Sequence, residues 1–270
     1  MGWPLLGRFG TSILNDAGDP VLNAAILAWN ARTMPLTEAW WNFPIFYPAD
    51  NALTFSENLL GVTLLTAPID WITGNPLTAY NALALLSFPL AALSMWALVY
   101  YVTRVPAAAL LAGLAFGFAP YRIAHLSHVQ MLASFWMPLS LLGLHAFLET
   151  RRRRWLVLFG ATWFLQGATN GYFLIFFSVF LAAWSAWFLL PSRRWHDLGS
   201  VALAGGAAAL PLVPIFYRYV QAHERHGLSR TFGEVTAYSP DVVSLLCAPG
   251  DLQVWGWVNV MCKPEGELFP

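Results

Sequence analysis

Between residues 155 and 192 the chain runs for 38 residues without Asp, Glu, Lys or Arg. As one helix this run would be about 57 Å long, close to twice the ~30 Å hydrocarbon core of a bilayer. It therefore has to turn, and Asn170-Gly171 is the natural turn dipeptide within it. Two stretches result, 155–169 and 172–190. Four more uncharged stretches are long enough, or nearly so, to cross a membrane: 77–102, 105–121, 129–148 and 198–217. Only 10% of the residues are charged and 58% are hydrophobic, whereas a soluble domain carries about 25% charged residues. The pattern predicts an all-α, polytopic transmembrane helical bundle of six spans. Its first external loop, ahead of the bundle, would carry interfacial or juxtamembrane helices.

Four consecutive arginines, Arg151, Arg152, Arg153 and Arg154, separate the third and fourth stretches. Basic residues in short loops mark the cytoplasmic side. With this loop inside, alternation puts Arg104, Arg193 and Arg194 inside as well. Residues 1–76, the loop from Arg122 to His128, Asn170-Gly171 and residues 218–270 then fall outside. The expected organisation is an extracytoplasmic segment 1–76, a bundle 77–217 and an extracytoplasmic segment 218–270. The inner loops hold seven basic and two acidic residues, the outer segments seven basic and twelve acidic. Carboxylates contribute little to topology, so the outer acidic excess reflects either longer segments or a functional acidic site.

Residues 59–72 form an apolar run of 14 with Pro68 and Asp70 inside it, a length that suits an interfacial or re-entrant helix. Met1 to Leu14 has neither the basic region nor the cleavage site of a secretory signal. An outer N-terminal segment without a signal or preceding span predicts a transmembrane helix upstream, and so an interior piece of a longer protein. Cys247 and Cys262 have no metal-type spacing. They are either unpaired thiols or, if extracytoplasmic, a disulfide contributing about 3 kcal/mol.

Three outer clusters could carry chemistry. In the first, Asp16 and Asp19 flank Gly18 and precede Pro20. Two carboxylates three residues apart could supply a general base or share a divalent cation. Otherwise Asp16 caps a turn and Asp19 a helix starting at Pro20. In the second, Trp40, Trp41, Phe43, Phe46 and Tyr47 form either an interfacial belt or a surface on which sugar or lipid stacks. Glu57 follows, as a further acidic group or as a favourable charge at a helix N-terminus. In the third, Arg122 offers a planar fork for phosphate, and His125 and His128 could bind phosphate oxygens or a metal. His223 and His226 repeat that spacing. Net charge is zero, which gives no support for a nucleic-acid partner. No phosphate-binding glycine loop, G-x-S-x-G elbow or H-E-x-x-H occurs.

The order of these clusters resembles the GT-C glycosyltransferases of bacterial membranes. The matching elements are Gly18-Asp19-Pro20, Phe46-Tyr47-Pro48, Asn75-Pro76-Leu77-Thr78-Ala79-Tyr80-Asn81 and Ala119-Pro120-Tyr121-Arg122. The resemblance implies a multi-pass protein of the bacterial plasma membrane acting in the cell envelope. It would transfer a sugar from a polyprenyl-phosphate carrier to a glycan, lipid or protein acceptor on the extracytoplasmic face. Asp19 or Asp16 would be the catalytic base. Arg122, His125 and His128 would hold the lipid phosphate, and Glu57, Trp41 and Tyr47 would complete the substrate site. A transporter or flippase is the alternative, as is a noncatalytic membrane subunit. Ion-coupled transport usually needs ionisable groups within the membrane, yet the six stretches contain only His145. Pro89, Pro138, Pro211 and Pro214 could break helices around a substrate path.

Overall fold

A computed structural model describes residues 5, 7–227 and 231–238; Cys247 and Cys262 lie outside the described residues. Every regular element among the described residues is helical. The main helices are α1 (Asp19–Arg32), α2 (Glu38–Trp41), α3 (Leu60–Thr73), α4 (Pro76–Thr103), α5 (Pro106–Gly117) and α6 (Pro120–Ala124). They continue with α7 (Val129–Leu132), α8 (Trp136–Thr150), α9 (Arg153–Gly167), α10 (Gly171–Leu189), α11 (Trp195–Ala209), α12 (Val213–His226) and α13 (Phe232–Tyr238). Short 3₁₀ turns occupy Pro44–Phe46, Ala52–Phe55 and Leu210–Leu212.

Local chemistry sets many of the boundaries. Proline stands in the first turn of α1, α4, α5 and α6, where its missing N–H has no intrahelical partner to lose. The Asn75 side chain accepts the N–H groups of Leu77 and Thr78, and the Asn170 side chain accepts that of Phe173, two N-caps that open α4 and α10. The uncharged run 155–192 accordingly divides at 168–170. Arg104, Arg151 and Arg193, at the ends of α4, α8 and α10, all adopt positive φ angles (59°, 54° and 50°). A basic residue there complements the negative end of the helix dipole, although a non-glycine pays a steric cost in this conformation.

Five helical segments are long and apolar enough to cross a membrane: Pro76–Thr103, Pro106–Ala124, Val129–Thr150, Gly171–Leu189 and Trp195–His226. The sequence led us to expect six. The difference lies in α9, which covers most of stretch 155–169 with 15 residues and is therefore only about 22 Å long. Leu60–Thr73 is likewise a shorter apolar helix.

The loops sort to two ends. At one, Asp197 takes ion pairs from Arg194 at 2.6 Å and Arg151 at 3.1 Å, and Arg194 also donates to the Leu148 carbonyl at 2.8 Å. Arg104 lies over the Tyr101 ring at 4.7 Å, and that ring packs on Trp155. This is the arginine end. The opposite ends of the same helices meet the N-terminal segment, whose α1 and α3 pack on α4. There Ile26, Leu27, Trp40, Trp41 and Leu59 share one core with Tyr80, Leu83 and Leu132.

Small residues permit the close approaches. A Cβ on Gly113 or Gly117 of α5 would sit 2.7 Å from the Ala92 carbonyl oxygen or 2.6 Å from the Ala92 Cβ of α4, the small-residue helix contact common in membranes. Gly61 goes further. Its N–H donates to the Ala168 carbonyl at 3.0 Å, and a Cβ would fall 1.9 Å from the Leu165 carbonyl oxygen.

Candidate functional site

The N-terminal loop is pinned onto the bundle by two asparagines of the 75–81 segment. Asn81, fully buried, donates to the carbonyls of Phe9 and Ser12 at 2.8 Å each and accepts the Leu14 N–H at 3.2 Å. Asn75 donates to the Gly10 carbonyl at 2.8 Å. This clamp fixes where the chain emerges, and the next residues are Asn15 and Asp16.

Asp16 then meets the loop between α6 and α7, more than a hundred residues away. The Ser127 hydroxyl donates to its carboxylate, and so does the Gly18 N–H, at 2.7 Å. Asn15 donates to both Asp16 and Ser127. These donors, the Ser127 hydroxyl foremost, hold the Asp16 carboxyl below the usual carboxylate range, because they favour its charged form. Asp16 thus closes a turn, and it also binds a second segment of the chain.

Asp19 is the first residue of α1, and the N-cap position that precedes it is Gly18, not an aspartate. The Asp19 carboxylate lies 3.1 Å from His128 Nε2, half exposed. His128 Nδ1 is buried and has no partner among the described residues. The His128 ring packs near that of His125, whose Nδ1 contacts the Tyr121 carbonyl oxygen at 2.9 Å. Beneath them is the buried hydroxyl of Tyr80, unpartnered among the described residues and within electrostatic range of both Asp16 and Asp19. Asp16, Asp19, His125 and His128 therefore gather on one surface, with Ser127 between them.

Arg122 does not join that surface. It is 2% exposed, and its guanidinium donates to Ser134 Oγ at 2.7 Å and to the carbonyls of Ser87 and Leu132 at 2.9 and 2.6 Å. It also lies over the Phe88 ring at 5.2 Å. In this arrangement Arg122 ties the segment bearing His125 and His128 to α4 from below.

Glu57 occupies a separate place at the same end. Its carboxylate receives the Gly171 N–H on both oxygens, at 3.1 and 3.2 Å. It is a charge at a helix N-terminus, but the helix is α10 and not α3, which follows it in sequence. Burial pushes its carboxyl up to about 7, against the smaller lowering effect of the Gly171 N–H.

The two aromatic candidates diverge. Trp41 is 2% exposed and packs edge-on against Trp40 with centroids 4.5 Å apart. Trp40 in turn donates to Asn30 Oδ1 at 2.7 Å. Tyr47 is 87% exposed. His223 lies on α12 with His226, whose ring meets Phe55 edge-on. Among the described residues no three His, Cys, Asp or Glu side chains form a metal-binding group.

Two further recesses matter. One of about 430 Å³ opens beside Glu57 between the 54–58 segment, α10 and α12. Another of about 420 Å³, almost wholly apolar, is lined by Met95, Phe116, Met137, Phe173 and Phe177 among others. Ser127, Tyr80 and Tyr219 were not singled out from sequence. Ser127 stands between the two histidines already noted, the one signal that could have found it.

Compared with known proteins, the chain matches no family model, no curated protein and no solved structure.

Proposed function

We propose that the protein is a polytopic membrane glycosyltransferase that takes a sugar from a polyprenyl-phosphate carrier. The observation that carries the reading is the convergence of Asp16, Asp19 and His128 at one end of an apolar helical bundle. Those carboxylates and that imidazole come from segments more than a hundred residues apart, and the resemblance of the surrounding motifs to GT-C enzymes supports the same reading. In this proposal the arginine end faces the cytoplasm, by the excess of basic residues in its loops. The acidic end then faces outside, and the chain is a multi-pass protein of the bacterial plasma membrane.

The step divides among the residues as follows. Asp19 accepts the proton of an acceptor hydroxyl as its oxygen attacks the anomeric carbon. The bond from that carbon to the carrier phosphate oxygen breaks with inversion, and the polyprenyl phosphate leaves with the electron pair. His128, 3.1 Å from Asp19, donates a hydrogen bond to the oxygen on which charge develops as that phosphate leaves. Asp16, held ionised by Ser127 and Gly18, fixes the first loop against the loop that bears His128. Arg122 is a positioning residue for the histidine loop, and the apolar recess near Phe173 and Phe177 suits the isoprenoid tail.

Membranes containing the protein should transfer label from a radiolabelled polyprenyl-phosphate hexose or pentose to an envelope glycan or lipid, and Asp19→Asn should abolish transfer without affecting membrane insertion. Full transfer by Asp19→Asn would sink the assignment to that residue. Absence of transfer from every donor offered to the unmodified protein would sink the activity. For orientation, Tyr47→Cys in a background of Cys247→Ser and Cys262→Ser should react with an impermeant thiol reagent in intact cells; reaction only after permeabilisation would invert the topology.

A further inference from the structure

The recess of about 430 Å³ beside Glu57 is walled by Phe55, Tyr172, Phe216 and Tyr219, with Ile175 and Ile215 completing its apolar side. Its size lies within the range of small-molecule sites. Most of its polar groups already have hydrogen-bond partners within the protein. The Tyr219 hydroxyl donates to the Ser56 carbonyl at 2.7 Å and accepts from Asn58 at 3.4 Å. Thr54 donates to the Asn51 carbonyl, and Asn58 accepts the Leu60 N–H.

Glu57 is different. A carboxylate offers about four lone-pair sites, and here both oxygens share a single N–H donor, that of Gly171. No other charged side chain lines the recess among the described residues. We propose that this recess is a binding site for an ammonium group, which Glu57 pairs and the surrounding rings of Phe55, Tyr172, Phe216 and Tyr219 enclose. Aromatic faces attract cations through the ring quadrupole, the more so where water is excluded. An anion is disfavoured, because the one helix N-terminus that would attract it is already occupied by a carboxylate. The site stands apart from the Asp19–His128 pair and does not depend on the transferase reading.

The occupant's charge couples to that of Glu57. Burial holds the Glu57 carboxyl near neutrality, and an ammonium favours its ionised form, so binding below neutral pH expels a proton. The titratable groups that face it are the hydroxyls of Tyr172 and Tyr219. Affinity for an ammonium should therefore rise as pH increases through about 7.

The test is photolabelling of the full chain in lipid nanodiscs with a diazirine-bearing long-chain alkylamine and its matched alcohol, mapped by mass spectrometry. At roughly pH 8 the amine should label peptides containing Tyr172 and Phe216 about tenfold more than the alcohol, and the preference should fade by roughly pH 5.5. Glu57→Gln should abolish both the preference and its pH dependence while alcohol labelling persists, which shows the fold intact. Tyr172→Ala, at a half-exposed position, should weaken amine labelling several-fold by removing one wall. Competition by ethylammonium as effectively as by the long-chain amine would identify a water-borne amine; competition by the long chain alone would identify a lipid amine. Equal labelling by amine and alcohol, or an amine preference that survives Glu57→Gln, would overturn the proposal.

Discussion

Asp16 and Glu57 are carboxylates at the same end of the molecule, and their surroundings drive them in opposite directions. Asp16 is open to solvent and receives the Ser127 hydroxyl and the Gly18 N–H, and its carboxyl is held below the usual range. Glu57 is enclosed, receives one N–H from Gly171, and is pushed up to about 7. Where donors are plentiful and water is near, the charged form is favoured; where burial dominates, one donor does not compensate. One end of the fold thus holds a permanent anion beside Asp19 and His128, together with a second acid that changes state near neutral pH. Those are different tools, and groups displaced in this way concentrate at functional sites.

The largest expected effect bears on the open side of the comparison. Asp19→Asn removes the proposed proton acceptor and should lower sugar transfer by about 10²–10⁴-fold. The measurement is transfer from the polyprenyl-phosphate sugar at matched protein levels, and a loss of less than a few-fold would leave the open carboxylates without a catalytic part.

The next effect bears on the enclosed side. The folded protein holds the Glu57 proton more tightly than the unfolded chain, whose carboxyl has its ordinary value of 4.5. Below that value both states are protonated and no difference arises. As pH rises from about 4.5 to about 7, the folded state loses stability progressively, by up to about 3 kcal/mol if burial acts in full. Above that window the loss levels off. Glu57→Gln should flatten this dependence and raise the thermal midpoint at about pH 8, and superimposable pH profiles for the two proteins would contradict the enclosed character of Glu57.

The all-helical class and five of the apolar helices were legible in the sequence, because uncharged runs report directly on burial in an apolar phase. The turn at Asn170-Gly171 followed from the length of the run and the turn preference of Asn-Gly. What composition does not encode is how much of an uncharged run becomes helix. Thr169 and Asn170 went to a turn and a cap, which left α9 too short for the fourth of six expected crossings to be recognised by length. At the candidate site, Asp16, Asp19 and His128 could be proposed one by one, but their meeting depends on Asn81 clamping the 9–14 segment, a contact across about seventy residues. Arg122 shows the opposite limit. A guanidinium in a polar loop looks available, and only the fold reveals that Ser134 and two carbonyls occupy it.

Gly61→Ala ranks third and links the two halves of the comparison. The new methyl would collide with the Leu165 carbonyl and with Thr169, and overpacking of this kind costs about 1–3 kcal/mol. To relieve it, α3 must lift from the end of α9, which carries the Glu57 segment away from Gly171. The thermal midpoint should fall, and the pH dependence attributed to Glu57 should shrink as that carboxyl is hydrated. A lower midpoint with an unchanged pH slope would show that α3 and Glu57 move independently.

Ser127→Ala should have the smallest effect, and it tests the comparison at its other pole. Asp16 is largely exposed, so water replaces most of what the hydroxyl supplied, and the stability change at neutral pH should stay within about 0.5 kcal/mol. The sign on the acid side is nevertheless definite. A carboxyl depressed in the folded state contributes stability above its ordinary value, and that contribution is lost as pH falls through the folded value. Removing the Ser127 hydroxyl removes the largest cause of the depression, so the Asp16 carboxyl should move up toward 3.8 and the acid-side loss should become shallower. A carboxyl NMR titration of Asp16 reads this directly. An Asp16 resonance that titrates identically with and without the hydroxyl would mean that Gly18 and Asn15 alone hold the anion, and that the contact between the first loop and the histidine loop is steric and not electrostatic.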